Sequence, residues 1–203
     1  MSERERTDLD GTWEFRPDPD DEGRSTWAAP GAAWSDATTM PVPAAWQERA
    51  AFSEYAGVAW YRRTVTRERS PDGKAFLRFG AVDYHATVYL DGEQVGEHRG
   101  GYLPFEVEVT GHLDAGEHVL AVRVADPADD PEIPHGKQGG RWYTPVSGIW
   151  QSVELIERPA THVADVRVTP DLAADSHFDV AVAPLADSDG RLFQLIGVTV
   201  YAD

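Results

Sequence analysis

The sequence predicts an all-β sandwich, and three features carry that prediction. From Ala75 to Leu113, apolar and polar residues alternate through three successive runs, the two-residue period of strands with one buried side. Each run closes at glycine, proline or an acidic turn residue, the punctuation that separates short strands. Between two of the runs stands Asp91-Gly92, a pair that tolerates the positive φ of a tight hairpin. The three runs read as a β meander.

Taken in order, residues 1–7 are expected to fray. Thr12–Phe15 form a first strand with Trp13 and Phe15 inward. Arg16–Ser35, rich in Asp, Gly, Pro and Ala, is an exposed loop pinned back by Trp27 and Trp34. Pro41-Val42-Pro43 imposes extended backbone, and Ala44–Glu54 holds one helical turn. Gly57–Arg67 is a strand in which Trp60 and Tyr61 are half-buried and Arg62 and Arg63 pair with acidic surface groups; Ser70–Gly73 then turns into the meander. There Ala86, Val88 and Leu90 share one face, and Phe105, Val107 and Val109 alternate with Glu106 and Glu108. Asp83 makes local backbone hydrogen bonds at a strand start and Tyr84 fills the core. Asp126–Trp142, with three prolines, three glycines and four acids, is a long loop. Trp150–Glu157 is the closing strand.

Composition narrows the function. The net charge is −17, and only Lys74 and Lys137 among the 18 basic residues are lysine. Such a surface is repelled by nucleic acid and by anionic membranes. It suits solubility at high salt, and equally a GC-rich genome that replaces lysine with arginine. No cysteine is present, so disulfide and thiol chemistry are excluded. The charged start MSERERTDLDG lacks the apolar centre of a signal peptide, and no stretch reaches the length of a membrane span. The expectation is a soluble, cytoplasmic protein.

The order of FLRFGAVDYHATVYLDGEQVG, HRGGYLPFEVEVT, GEHVLAVRVADP and SGIWQSVEL, preceded by LDGTWEF, MPVPAAWQ and AWYRRTV, closely resembles the N-terminal sugar-binding domain of glycoside hydrolase family 2, the family of β-galactosidases, β-glucuronidases and β-mannosidases. The resemblance covers about residues 8–157 and implies a jelly-roll, galactose-binding-like sandwich over residues 1–158. The runs THVADVRVTPDL, HFDVAVAPL and FQLIGVTVYAD resemble the opening strands of the immunoglobulin-like sandwich that follows in the family. About seven strands and roughly 100 residues complete such a sandwich. Residues 159–203 therefore form a partial one, whose unpaired edges fold back, swap with a second copy or dock on a partner chain.

The resemblance implies hydrolysis with retention by two carboxyl groups about 5 Å apart, carried in the family by a third, barrel domain that these 203 residues do not include. Glu106 and Glu108 lie about 7 Å apart along a strand and read as a solvated outer face, as do Asp129, Asp130, Glu132 and Asp126, for which a calcium ion is the minor alternative. His85, His98, His112 and His118 lack the companion ligands of a zinc site. No phosphate loop, nucleophile elbow or dinucleotide fingerprint is present, and no catalytic residue, metal or cofactor is expected. In the family, the loop before SGIWQ reaches toward the substrate. Here it is HGKQGGRWYTPVSGIWQ, shorter than the family's and with His135 where the family places arginine. The resemblance implies sugar contact by Gln138 and Trp142 first, then Arg141, Tyr143 and Lys137, since planar polar groups meet hydroxyls and an aromatic face stacks on a pyranose. Packing of Trp142 and Tyr143 against a domain interface is the alternative.

The functions this leaves are a non-catalytic, weakly carbohydrate-binding module that positions substrate, or a structural subunit that completes a separately encoded barrel chain. A self-sufficient enzyme would need an acid/base pair that the sequence does not display.

Overall fold

A computed structural model describes residues 5–69, 73–139, 142–160, 162–169 and 177–182, the last two ranges by backbone from Val163 onward. The strands are β1 (Glu5–Asp8), β2 (Gly11–Pro17), β3 (Thr38–Val42), β4 (Gly57–Arg67), β5 (Lys74–Phe79), β6 (His85–Leu90), β7 (Glu93–Arg99), β8 (Phe105–Glu108), β9 (Gly116–Asp126), β10 (Val153–Arg158), β11 (Val163–Thr169) and β12 (His177–Val182). Two antiparallel sheets form the sandwich, one ordered β1-β10-β5-β8 and the other β3-β2-β4-β9-β6-β7, while among the described residues β11 and β12 pair only with each other. Among the described residues no helix is long and apolar enough to cross a membrane.

Alternation places the core. Trp13 and Phe15 on β2, Leu77 and Phe79 on β5, Val88 and Leu90 on β6, Val122 and Val124 on β9, and Val153 and Leu155 on β10 meet between the sheets. Each such side chain contributes about 1.5–3 kcal/mol when removed from water. Phe15 also touches Phe52 and Tyr61, with ring centroids 5.0 Å away in each case, and Trp46 at 6.0 Å. That cluster fixes the segment after β3, whose expected helical turn takes the form of two short 3₁₀ turns, Trp46–Glu48 and Ala50–Phe52.

Four expectations are corrected. The run from Ala75 to Leu113 is not a meander: β5 and β8 pair in one sheet while β6 and β7 form a hairpin in the other. Period two reports that a strand has a buried face, not which sheet that face closes. Residues 5–7 do not fray, because β1 pairs with β10 from Glu5↔Glu157 to Asp8↔Glu154. Trp60 and Tyr61 are fully buried, not half-buried, since the loop 18–37 covers the outer face of β4 and both sides of the strand are dry. The closing strand begins at Val153, and Trp150 ahead of it donates its indole N–H to the Gly101 carbonyl.

The outer carboxylates are paired rather than merely solvated. Arg158 holds Glu106 through both guanidinium N–H edges, and Lys74 holds Glu108. Arg67 meets Glu157 at 2.6 Å with both side chains largely buried. The Arg67 hydrogen bond holds the Glu157 carboxyl below the usual glutamate range, and burial only partly opposes it. A depressed carboxyl contributes stability above its unfolded pKa, and that contribution is lost as pH falls through the folded value. Glu157→Gln is accordingly expected to cost about 1–3 kcal/mol at neutral pH, with the difference from the wild type shrinking as acid protonates Glu157, as followed by thermal unfolding.

Candidate functional site

Two clefts open where the segments after β3, β5, β7 and β9 come together. The larger, about 490 Å³, is lined by Tyr55, Asp126, His135, Trp142 and Tyr143 among others, and the smaller, about 230 Å³, by Asp83, Tyr84, Tyr102 and Leu103; His135 and Gln138 border both. The first volume is in the range of small-molecule sites.

A chain of hydrogen bonds fixes the floor. The Gln47 amide donates to Ser147 Oγ at 2.7 Å and accepts the Ser147 backbone N–H at 3.0 Å, while Ser147 Oγ donates to Asp126 Oδ2 at 2.6 Å. Gln47, Ser147 and Asp126 are all buried, so this network sets the loop's return path. Asp83 and Gly148 exchange backbone hydrogen bonds at 3.0 and 2.7 Å beside it. The backbone closes over the Asp83 carboxyl at Gly101, where a Cβ would stand 2.4 Å from that carboxyl. Burial and the nearby Asp126 charge push Asp83 up to about 7, with the Gln138 amide and His135 drawing it back. Burial likewise raises Asp126, against the Ser147 hydrogen bond and His135.

The residues expected to contact sugar divide into two roles. Trp142 and Tyr143 project into the larger cleft with 71% and 69% of their surface exposed, and the Lys137 ammonium sits 5.4 Å over the Trp142 ring. Their backbones form a tight return, Gly139 N–H to Tyr143 O at 2.7 Å and Tyr143 N–H to Lys137 O at 3.1 Å. Gln138 is committed to the protein. Its amide nitrogen donates to the Tyr102 hydroxyl and its oxygen accepts the Val146 N–H at 2.7 Å, so it holds the loop in shape. Arg141 lies outside the described residues.

Several groups escaped the sequence reading. Asp126 was expected on a solvated acidic stretch, yet it is buried as the last residue of β9. Tyr84, expected in the core, is only half-buried and lines the smaller cleft. Gln47, Tyr102 and Ser147 lie inside the motifs MPVPAAWQ, HRGGYLPFEVEVT and SGIWQSVEL but are given no role by the sequence reading, and Tyr55 lies in no motif. The signal available for Tyr102 was the Gly100-Gly101 pair ahead of it, which marks close backbone approach. Among the described residues no group of three or more His, Cys, Asp or Glu is placed to hold a metal ion.

Comparison with known proteins places this architecture. The model of the glycosyl hydrolases family 2 sugar binding domain matches residues 6–159. The β-glucuronidase of Paenibacillus borealis is 30% identical over 195 residues, 85% of this chain and 32% of that protein. The dog enzyme is 30% identical, covering 93% and 36%. Among solved structures, the β-glucuronidase of Faecalibacterium prausnitzii superposes with a TM-score of 0.69 at 26% identity, over 93% of this chain and 38% of that one. That of an uncultured Clostridium gives 0.71 at 28%, over 88% and 34%. The chain thus spans about one third of these relatives' length. With the family match and the superposition on solved β-glucuronidases in agreement, the chain belongs to glycosyl hydrolase family 2, of which it carries the N-terminal sugar-binding domain.

Proposed function

We propose that this chain is a non-catalytic carbohydrate-binding and substrate-positioning module of a family 2 glycoside hydrolase. The observation that carries the reading is the gathering of Tyr102, Leu103, Trp142 and Tyr143, the exposed large hydrophobic residues of the described chain, around the two clefts at one end of the sandwich. An aromatic wall over a polar floor is the chemistry that receives a pyranose, whose one face is apolar and whose edges carry hydroxyls. Trp142 and Tyr143 supply the stacking faces, Lys137 supplies charge beside the Trp142 ring, and Gln138 sets the loop. The cleft is open on one side, so affinity for a free sugar is weak, in the millimolar range that corresponds to about −4 kcal/mol.

The test is a titration of the chain with monosaccharides and aryl glycosides, followed by tryptophan fluorescence and by line shifts of the Trp142 indole. Trp142→Ala is expected to lower the affinity at least about tenfold, equal to a lost stacking contact of roughly 1.4 kcal/mol, without changing the unfolding temperature, because the ring is exposed. No saturable shift with any sugar would reject direct binding. The same exposed rim favours a second reading, a structural subunit that completes a separately encoded barrel chain. That reading predicts a stable complex with such a chain, or self-association through residues 160–203, in a light-scattering mass measurement.

A further inference from the structure

Beneath the rim, three ionisable side chains from three separate segments come together, two buried carboxylates and an imidazole still 30% exposed, and the hydrogen-bond network leaves two of their atoms unused. Asp83 precedes β6, Asp126 ends β9 and His135 sits on the rim loop. His135 Nδ1 stands 4.0 Å from Asp126 Oδ1, just beyond hydrogen-bond reach. Asp126 Oδ1 and His135 Nε2 are both buried, and neither has a hydrogen-bond partner among the described residues. Asp83 lines the smaller cleft beside His135. A ring shift of about 1 Å would bring His135 onto Asp126.

We propose that Asp83, His135 and Asp126 form a proton-operated latch: it holds the rim segments 133–139 and 142–147 on the sandwich while the cluster retains a proton and releases them when both carboxylates are ionised. A protonated Asp83 is a neutral donor, and His135 is then free to satisfy Asp126 Oδ1. Once that proton is lost, Asp83 and Asp126 are both ionised while buried close to one another, and like charges withdrawn from water repel. The other polar groups facing the cluster are Tyr102 and Gln138 from the rim, Ser147 and through it Gln47 at Asp126 Oδ2, and Glu54 and Tyr55 across the larger cleft. None of these is a cation that would offset the second negative charge. Ile133, buried, is the loop's apolar anchor on the same side.

The sign follows from the groups themselves. Asp83 is raised from 3.8 to about 7 in the closed arrangement. A carboxyl whose pKa is raised binds its proton more tightly when docked, so docking is favoured at low pH and weakens as pH rises toward that value. Opening exposes Trp142 and Tyr143 to a new orientation, which would make the rim's grip on any ligand dependent on pH.

The test is amide hydrogen exchange on the ligand-free full chain between about pH 5.5 and 9, with loop rates divided by those of β4 and β9 amides to remove intrinsic base catalysis. Protection at Gly139, Tyr143 and Val146 is expected to fall about tenfold or more through a midpoint near that of Asp83, while β4 and β9 stay closed. Asp83→Asn, neutral at every pH, is expected to keep the loop protected at pH 9. Asp126→Asn, which keeps an acceptor for Ser147, is expected to remove the transition or move it by at least about one pH unit. It carries the test should Asp83→Asn fail to fold. Loop protection independent of pH in the wild type, or a midpoint unmoved by either substitution, overturns the latch. Because no sugar is present, the outcome is separate from that of the binding titration.

Discussion

Gly148→Ala is expected to lower the unfolding temperature by about 10 °C or more, a loss of about 3–5 kcal/mol for a chain of this size. Two independent costs add. Gly148 has φ +97°, a backbone region that a side chain enters only with strain of about 1–3 kcal/mol. A Cβ there would also stand 2.2 Å from the Tyr61 hydroxyl and 3.1 Å from the Trp46 ring. Both neighbours are fully buried in the central aromatic cluster, and a close-packed interior gives way only at the expense of other contacts. The backbone of Gly148 also exchanges hydrogen bonds with Asp83, so the displacement reaches the floor of the rim. Circular dichroism melts measure the loss, and Tyr61→Phe in the alanine background is expected to recover part of it by removing the clashing oxygen. A melt within about 2 °C of the wild type would show that the core yields here, contrary to its packing.

That glycine illustrates what the sequence disclosed and what it withheld. SGIWQ was recognised as a family motif, and the strands around it were legible because alternation survives wherever a strand has one dry face. Trp13, Phe15, Val88 and Leu90 all lie on the side that the pattern assigns. The sheet to which each strand belongs was not legible, because β5, β6, β7 and β8 have the same period whichever partner they take. The rim was half legible. Trp142 and Tyr143 stood out as aromatic residues in a polar loop, and they are exposed beside the larger cleft. Asp83 is distant in the chain from Asp126 and His135, and the three become neighbours only through the antiparallel pairing of β6 with β9 and the return of the loop. A charge at the end of an acidic run looks solvated until the segment that covers it is placed.

The second large effect is expected at Trp60, where truncation to alanine should cost about 3–5 kcal/mol and detach the loop that covers the outer face of the larger sheet. Trp60 is completely buried. Its ring lies 6.2 Å from Trp27 and 5.4 Å from Tyr89, and its indole N–H donates to Asp18 Oδ2 at 2.9 Å. The same Asp18 carboxylate accepts the backbone N–H groups of Glu22 and Gly23 at 2.9 Å each, which turns the start of the loop. Trp34 donates to the Trp27 carbonyl at 3.1 Å, and Arg16 and Arg62 stack over Trp27 and Trp34 at 3.7 and 4.3 Å. Removing Trp60 takes away the surface on which this assembly rests and leaves a buried carboxylate short of one donor, so the cavity cost and the polar cost fall together. Trp60→Phe separates them: it retains most of the packing, loses the N–H, and is expected to cost about 1–3 kcal/mol. Tryptophan emission supplies the local readout. In Trp60→Ala the spectrum should shift to the red before the global transition as Trp27 and Trp34 enter water, and an emission change that coincides with unfolding of the sandwich would instead show that the cap and the core melt as one unit.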